Sequence, residues 1–144
     1  MITLAINTCL NSHQLVIFDS FRVFETSWDI TEKEDDVFVK HLSKLLLNFG
    51  ISKFDIGRIF VISGPGPFTS VRSGVVSANA LAYCLKKQIY AVNIFEFLKF
   101  VQGFDFVDLI VLSSQHGEVF CLAGYEDLID IKKYKFEDFL RVYD

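Results

Sequence analysis

The residues best placed to do chemistry are Gly64-Pro65-Gly66-Pro67-Phe68-Thr69-Ser70-Val71-Arg72-Ser73-Gly74, directly after the apolar run Arg58-Ile59-Phe60-Val61-Ile62-Ser63. A glycine-rich turn between a strand and a helix can cradle a phosphate on its backbone N–H groups. The residue types argue against that use. A P-loop requires Gly-x-x-x-x-Gly-Lys-Ser/Thr, and no lysine follows here. The dinucleotide fingerprint requires a third glycine where this chain has Thr69. Pro65 and Pro67, the only 2 prolines of the chain, each remove a backbone donor. Gly64, Pro65, Gly66 and Pro67 therefore read as a rigid structural corner, with Pro67 near a helix start where its missing N–H costs little.

Other reactive side chains form no constellation. His13, His41 and His116 are scattered, and no pair of histidines four apart on a helix offers a metal site. Cys9 follows a strand with no base beside it, so it makes a poor nucleophile. No Ser/His/Asp or metalloprotease signature is present. The expectation is a chain without catalytic residues, metal or cofactor of its own.

The helix after the corner, about Phe68 to Lys86, carries a sharper message. Ser70, Gly74, Ala78 and Ala82 recur every four residues and line one ridge, over which another backbone can approach closely. Glycine in a helix interior is worse than alanine by up to about 1 kcal/mol, so Gly74 implies a packing reason. Apolar or small residues take up most of the circumference, leaving few for a solvent face. The helix is expected to be buried on two sides, with the small ridge meeting a partner subunit. Arg72 sits in the first turn, where the dipole disfavours a cation; it either bridges to an acidic partner residue or caps a neighbouring carboxylate.

The elements that hold this helix follow from patterning. Residues 2–7, Gln14 to Phe18 and Phe21 to Trp28 read as an antiparallel meander. A helix follows over about 33–48, with Val37, Phe38, His41, Leu42, Leu45 and Leu46 at helical spacing and Gly50 ending it. Then come a strand at 58–63, the corner and its helix, a strand at Ile89 to Val92 and a helix at Phe95 to Val101. A hairpin, Asp108 to Ser113 and Glu118 to Gly124, turns at Gln115-His116-Gly117, and residues 126–144 form a mixed amphipathic tail. A meander followed by α-β-α-β is an α/β pattern with a mixed sheet, and suits the half-domain of actin, heat-shock chaperones and sugar kinases, the ASKHA fold. Residues 1–105 are assigned to that subdomain and 106–144 to a truncated remnant of a second.

Composition bounds the rest. With 51% hydrophobic and 22% charged residues, disorder is excluded. The 16 phenylalanines among 144 residues are more apolar bulk than a small monomer comfortably hides. A net charge of −4 argues against a main role in gripping a nucleic-acid backbone. No run approaches the roughly 20 apolar residues of a membrane span, the N-terminus has no basic region or cleavage site, and the odd, dispersed cysteines read as buried thiols. A soluble cytoplasmic protein with no membrane association is expected.

Several segments carry a resemblance to a known family. Gly64-Pro65-Gly66-Pro67-Phe68-Thr69, with Val71-Arg72 and Gly74, resembles the GPGSFTGxRxG signature of the TsaB (YeaZ) family. Leu4-Ala5-Ile6-Asn7-Thr8 is similar to that family's LAIDT opening, His41-Leu42-Ser43-Lys44-Leu45-Leu46 to its HS-x-x-LLP helix, and Leu112 to Phe120 to its DAR-x-GEVY hairpin. The likeness covers about residues 2–125. It implies a noncatalytic subunit that binds a TsaD-like enzyme, with a TsaE-like ATPase as further partner and only indirect or weak tRNA contact. The complex attaches a threonylcarbamoyl group to the adenosine beside the anticodon. By resemblance the enzyme docks on the 33–48 and 68–86 helices, which puts His41, Leu42, Leu45, Ser70, Arg72, Gly74, Ala78 and Ala82 at the interface; alone, the chain would pair as a homodimer. Asn7 stands where active members of the fold carry an aspartate, and Ser114 and His116 depart from the hairpin motif. The alternative is a stand-alone nucleotide- or phosphate-binding half-domain with weak or no ATPase activity.

Overall fold

The computed structural model describes residues 1–32, 36–102, 109–113, 118–123, 130–135, 137–138 and 141. They form two compact units, Met1–Asn93 and Ile94–Asp144. The division expected at 105/106 thus falls earlier.

In the first unit, β1 (Ile2–Asn7), β2 (Ser12–Phe18) and β3 (Val23–Asp29) make the expected meander. Asp19 sets its second turn: the carboxylate accepts the N–H groups of Phe21 and Arg22 at 2.8 and 2.9 Å. Phe21 and Arg22 therefore belong to the turn, and β3 starts two residues later than the expected Phe21. Helix α1 (Val37–Phe49) ends at Gly50, whose φ of 77° lets its N–H and that of Ile51 reach back to Leu46 O. The first turn of α1 holds no acidic residue, and residues 33–35 lie outside the described ones. A single 3-10 turn, Lys53–Asp55, is closed by a reciprocal Ser52–Asp55 capping box before β4 (Ile56–Ile62). Helix α2 (Phe68–Leu85) and β5 (Gln88–Val92) follow.

The sheet order is β3-β2-β1-β4-β5, with β1 parallel to β4 and β4 to β5. Register puts the apolar residues on one face: Leu4 pairs with Ile17 and Ile59, Ile6 with Leu15 and Val61. All six are buried in one core with Val37, Leu42, Leu45 and Phe49 of α1 and Ala78, Ala82 and Leu85 of α2. Both helices therefore lie on the same side of the sheet, α1 over β2 and β3, α2 over β1, β4 and β5.

The second unit holds α3 (Ile94–Gln102), with Ile94 and Phe95 fully buried, and a meander of β6 (Leu109–Ser113), β7 (Glu118–Ala123) and β8 (Asp130–Lys135). The β6–β7 pair is the expected hairpin; its tip at 114–117 lies outside the described residues. β8 corrects the expectation of an amphipathic tail. Its lysine-rich segment lacks apolar alternation, and pairing with β7 supplies what propensity does not; lysines suit an edge strand. No described helix is long and apolar enough to cross a membrane.

Candidate functional site

The corner after β4 is packed backbone to backbone. Asn7, at the end of β1, turns the chain by accepting the Cys9 N–H on Oδ1 at 3.0 Å, and the Cys9 thiol donates to Ile62 O at 3.2 Å. Against this turn lies Gly66. A Cβ there would stand 2.6 Å from the Cys9 carbonyl oxygen and 2.9 Å from its Cα, so only glycine fits. Gly64 takes a left-handed φ of 114° before a cis peptide to Pro65. Pro67 precedes the first turn of α2, and its carbonyl accepts the Val71 N–H at 2.9 Å. At Gly66 the space a phosphate would need is filled by the Cys9 backbone. Burial raises the Cys9 thiol to about 11, opposed by hydrogen bonds from the Gly64 and Thr8 backbone. It is held as an unreactive thiol.

Helix α2 leaves this corner with its small ridge turned inward. Ser70, Gly74, Ala78 and Ala82 are all buried within the chain. An added Cβ at Gly74 would overlap Thr8 Oγ1 and lie 3.0 Å from its Cγ2. The expectation that this ridge meets a partner is thereby corrected. The close approach that its periodicity announces is to the end of β1, because α2 must pass over the Asn7-Thr8-Cys9 turn. Leu42 and Leu45 are likewise core residues of α1. His41 is half-buried: its ring stacks on Trp28 with centroids 4.7 Å apart, and its Nδ1 is hydrogen-bonded to Thr26 Oγ1 at 2.7 Å. Of the expected interface residues, Arg72 alone is exposed.

What the two helices turn outward is a different set. Val39 (59% exposed) and Leu47 (79%) project from α1, and Phe68 (78%), Val76 (58%) and Tyr83 (87%) from α2. Water on five large apolar side chains is unfavourable by about 25 cal/mol per Å² of apolar surface, which burial against a partner would recover. Residues 68, 72, 76, 79 and 83 follow one another at spacings of three and four, as an outward stripe of one helix face must. That spacing is visible in the sequence, but the opposite ridge has equal periodicity, and periodicity alone does not say which of the two faces the sheet. Among the described residues no group of three or more His, Cys, Asp or Glu side chains is placed to hold a metal.

The model of the TsaD family, tRNA N6-adenosine threonylcarbamoyltransferase, matches residues 35–139. A tRNA threonylcarbamoyladenosine biosynthesis protein TsaB from Buchnera aphidicola subsp. Schizaphis graminum is 24% identical over 92 residues, which are 64% of this chain and 44% of that protein. YeaZ from Pseudomonas aeruginosa superposes with a TM-score of 0.68 at 18% identity, over 92% of this chain and 66% of that one. A second structure, of an uncharacterized protein with similarity to peptidase YeaZ from Pseudomonas aeruginosa, gives 0.69 at 19% identity, over 91% and 63%. At these identities the superpositions establish the fold, which is the expected ASKHA-like α/β half-domain with a mixed sheet. The chain spans less than half the length of the curated relative and under two-thirds of the second structure.

Proposed function

Because this chain belongs to the TsaD family, and to its TsaB/YeaZ branch, we propose that it serves as a noncatalytic subunit in the biosynthesis of threonylcarbamoyladenosine on tRNA. Its task is to bind a TsaD-like enzyme through the outward faces of α1 and α2, supporting transfer of the threonylcarbamoyl group to the adenosine beside the anticodon. The observation that carries this is the row of exposed apolar side chains, Val39, Leu47, Phe68, Val76 and Tyr83, on two helices seated on the same sheet face. A noncatalytic role is supported by the corner, where Gly66 lies against the Cys9 backbone and the Asn7 amide is spent on a turn. The setting is cytoplasmic, a TsaE-like ATPase is a further candidate partner, and tRNA contact is indirect.

Co-purification with the TsaD-like protein of the same organism tests this. The wild-type chain should form a stable complex and raise threonylcarbamoyl incorporation into tRNA by the enzyme. Val76→Asp with Tyr83→Asp should abolish both while leaving the fluorescence of the buried Trp28 unchanged. A chain that neither binds nor stimulates, or a double variant that does both normally, would refute the assignment.

A further inference from the structure

Along β2 the side chains turned into the core are His13, Leu15 and Ile17, and all three are buried. An ionisable ring thus stands on a face whose next two positions are plain hydrocarbon. His13 is 9% exposed, and its Nε2 is buried without a hydrogen-bond partner among the described residues. Its register partner on β3 is Trp28, whose indole it meets edge-on with ring centroids 5.4 Å apart. The same indole reaches α1: the His41 ring stacks on it at 4.7 Å, and Phe38 meets it edge-on at 6.3 Å. His41 is tied back to β3 by its Nδ1–Thr26 Oγ1 hydrogen bond of 2.7 Å. One indole therefore links a buried imidazole of β2 to the helix that lies over β2 and β3, while α2 lies over β1, β4 and β5.

We infer that His13 works as a proton-operated latch on α1. On taking a proton the ring leaves the edge of Trp28, and the indole shifts. Helix α1 then loosens from β2 and β3 through His41 and Phe38, with α2 still seated on its own strands. A charged imidazole has no partner for its Nε2 in the closed packing, so it must reach water. Burial holds His13 below its ordinary 6.5 against the pull of Asp29. The opened state therefore binds the proton more readily than the closed one, and falling pH favours opening. The charges around the latch are few. Asp29, at the end of β3, is the carboxylate that attracts the charged ring and opposes release. Glu32 lies 3.9 Å from Nε2 of His41, at the other end of the row of rings. Asp36, Lys40 and Lys44 of α1 and its entry are exposed, and β1 ends alongside in uncharged Asn7. Lys33, Glu34 and Asp35 of the same connection lie outside the described residues.

The test is hydrogen exchange of the native chain, corrected for the intrinsic rate, from about pH 7.5 to about pH 5, with Trp28 emission followed in parallel. Protection of the α1 amides from His41 to Leu45 should fall by up to about tenfold per pH unit as the pH drops. It should stay at least about tenfold below that of the α2 amides from Ala78 to Ala82, which open only with the whole fold. The emission of Trp28, the single tryptophan, should move to longer wavelength toward pH 5. His13→Phe should remove both the α1 response and the emission shift, whereas His41→Gln should keep the shift, since the proton is taken at His13. Equal protection in the two helices overturns the latch, because the proton would then act only through unfolding of the entire chain. Protection of α1 that does not vary with pH overturns it, as does an emission shift that survives His13→Phe and vanishes in His41→Gln. The wild-type exchange pattern decides the matter even where a variant fails to fold.

Discussion

Replacing Gly74 with alanine tests whether α2 is fitted to the end of β1. On an exposed helix this change stabilises by up to about 1 kcal/mol, through helix propensity and a restricted unfolded chain. Here the new methyl would overlap Thr8 Oγ1 and lie 3.0 Å from Cγ2 and 3.1 Å from Cβ. Thr8 is itself buried, so its side chain has little room to turn away. Overpacking of this kind costs about 1–3 kcal/mol. The net expectation is destabilisation by about 1–2 kcal/mol, which lowers a urea midpoint by about 0.5–1 M. The partner mutation sharpens it. Thr8 Oγ1 is buried with no hydrogen-bond partner among the described residues, so Thr8→Ala discards no bond. It also removes both close atoms and leaves only Cβ. In that background Gly74→Ala should be neutral or stabilising, giving a coupling of about 1–3 kcal/mol. Urea unfolding followed by the fluorescence of the single tryptophan, Trp28, reads all four corners of the cycle. If Gly74→Ala stabilises the wild type by about 1 kcal/mol with no coupling to Thr8, then α2 does not seat against β1 as described.

Four further outcomes follow from the structure. Gly66→Ala should destabilise by more than about 2 kcal/mol, because its Cβ meets Cys9 backbone, which cannot rotate aside; an unchanged thermal midpoint would count against the corner. With a thiol reagent at mildly alkaline pH, exposed Cys84 should react quickly, and buried Cys9 and Cys121 only on unfolding. The Cys9 thiol is raised from 9.0 to about 11, so the unfolded chain releases this proton first. Stability should therefore fall as pH climbs from about 9 toward 11, a component that Cys9→Ala abolishes. His13 runs the other way: burial lowers it below 6.5 against the pull of Asp29, and its Nε2 is buried without a hydrogen-bond partner among the described residues. The unfolded chain then binds the proton first, so stability should be lost as pH falls below about 6.5; His13→Phe, keeping an aromatic ring edge-on to Trp28, should flatten that limb.

Local chemistry made much of the fold legible in the chain itself. Gly50 has to stop a helix because only a residue tolerant of positive φ closes that cap, and it does so at 77°. The prolines and glycines of 64–67 had to be a stiff corner, since their donors and dihedrals permit little else. The apolar run of residues 2–7 placed β1, which is buried at most positions, and the motifs spaced along the chain marked the TsaB/YeaZ branch. The lysine-rich β8 was not legible, because an edge strand draws its stability from the neighbour it pairs with.

The proposed docking face shows the same division more sharply. The sequence by itself determined that α2 has a ridge over which something comes unusually close, because a four-residue period of small side chains has that one physical meaning. It could not say what comes close. Helical periodicity has no sign: it separates two faces of a helix without naming which meets the sheet. Only the tertiary structure, by running α2 across Thr8, turned Ser70, Gly74, Ala78 and Ala82 inward and left Phe68, Arg72, Val76 and Tyr83 to meet whatever binds.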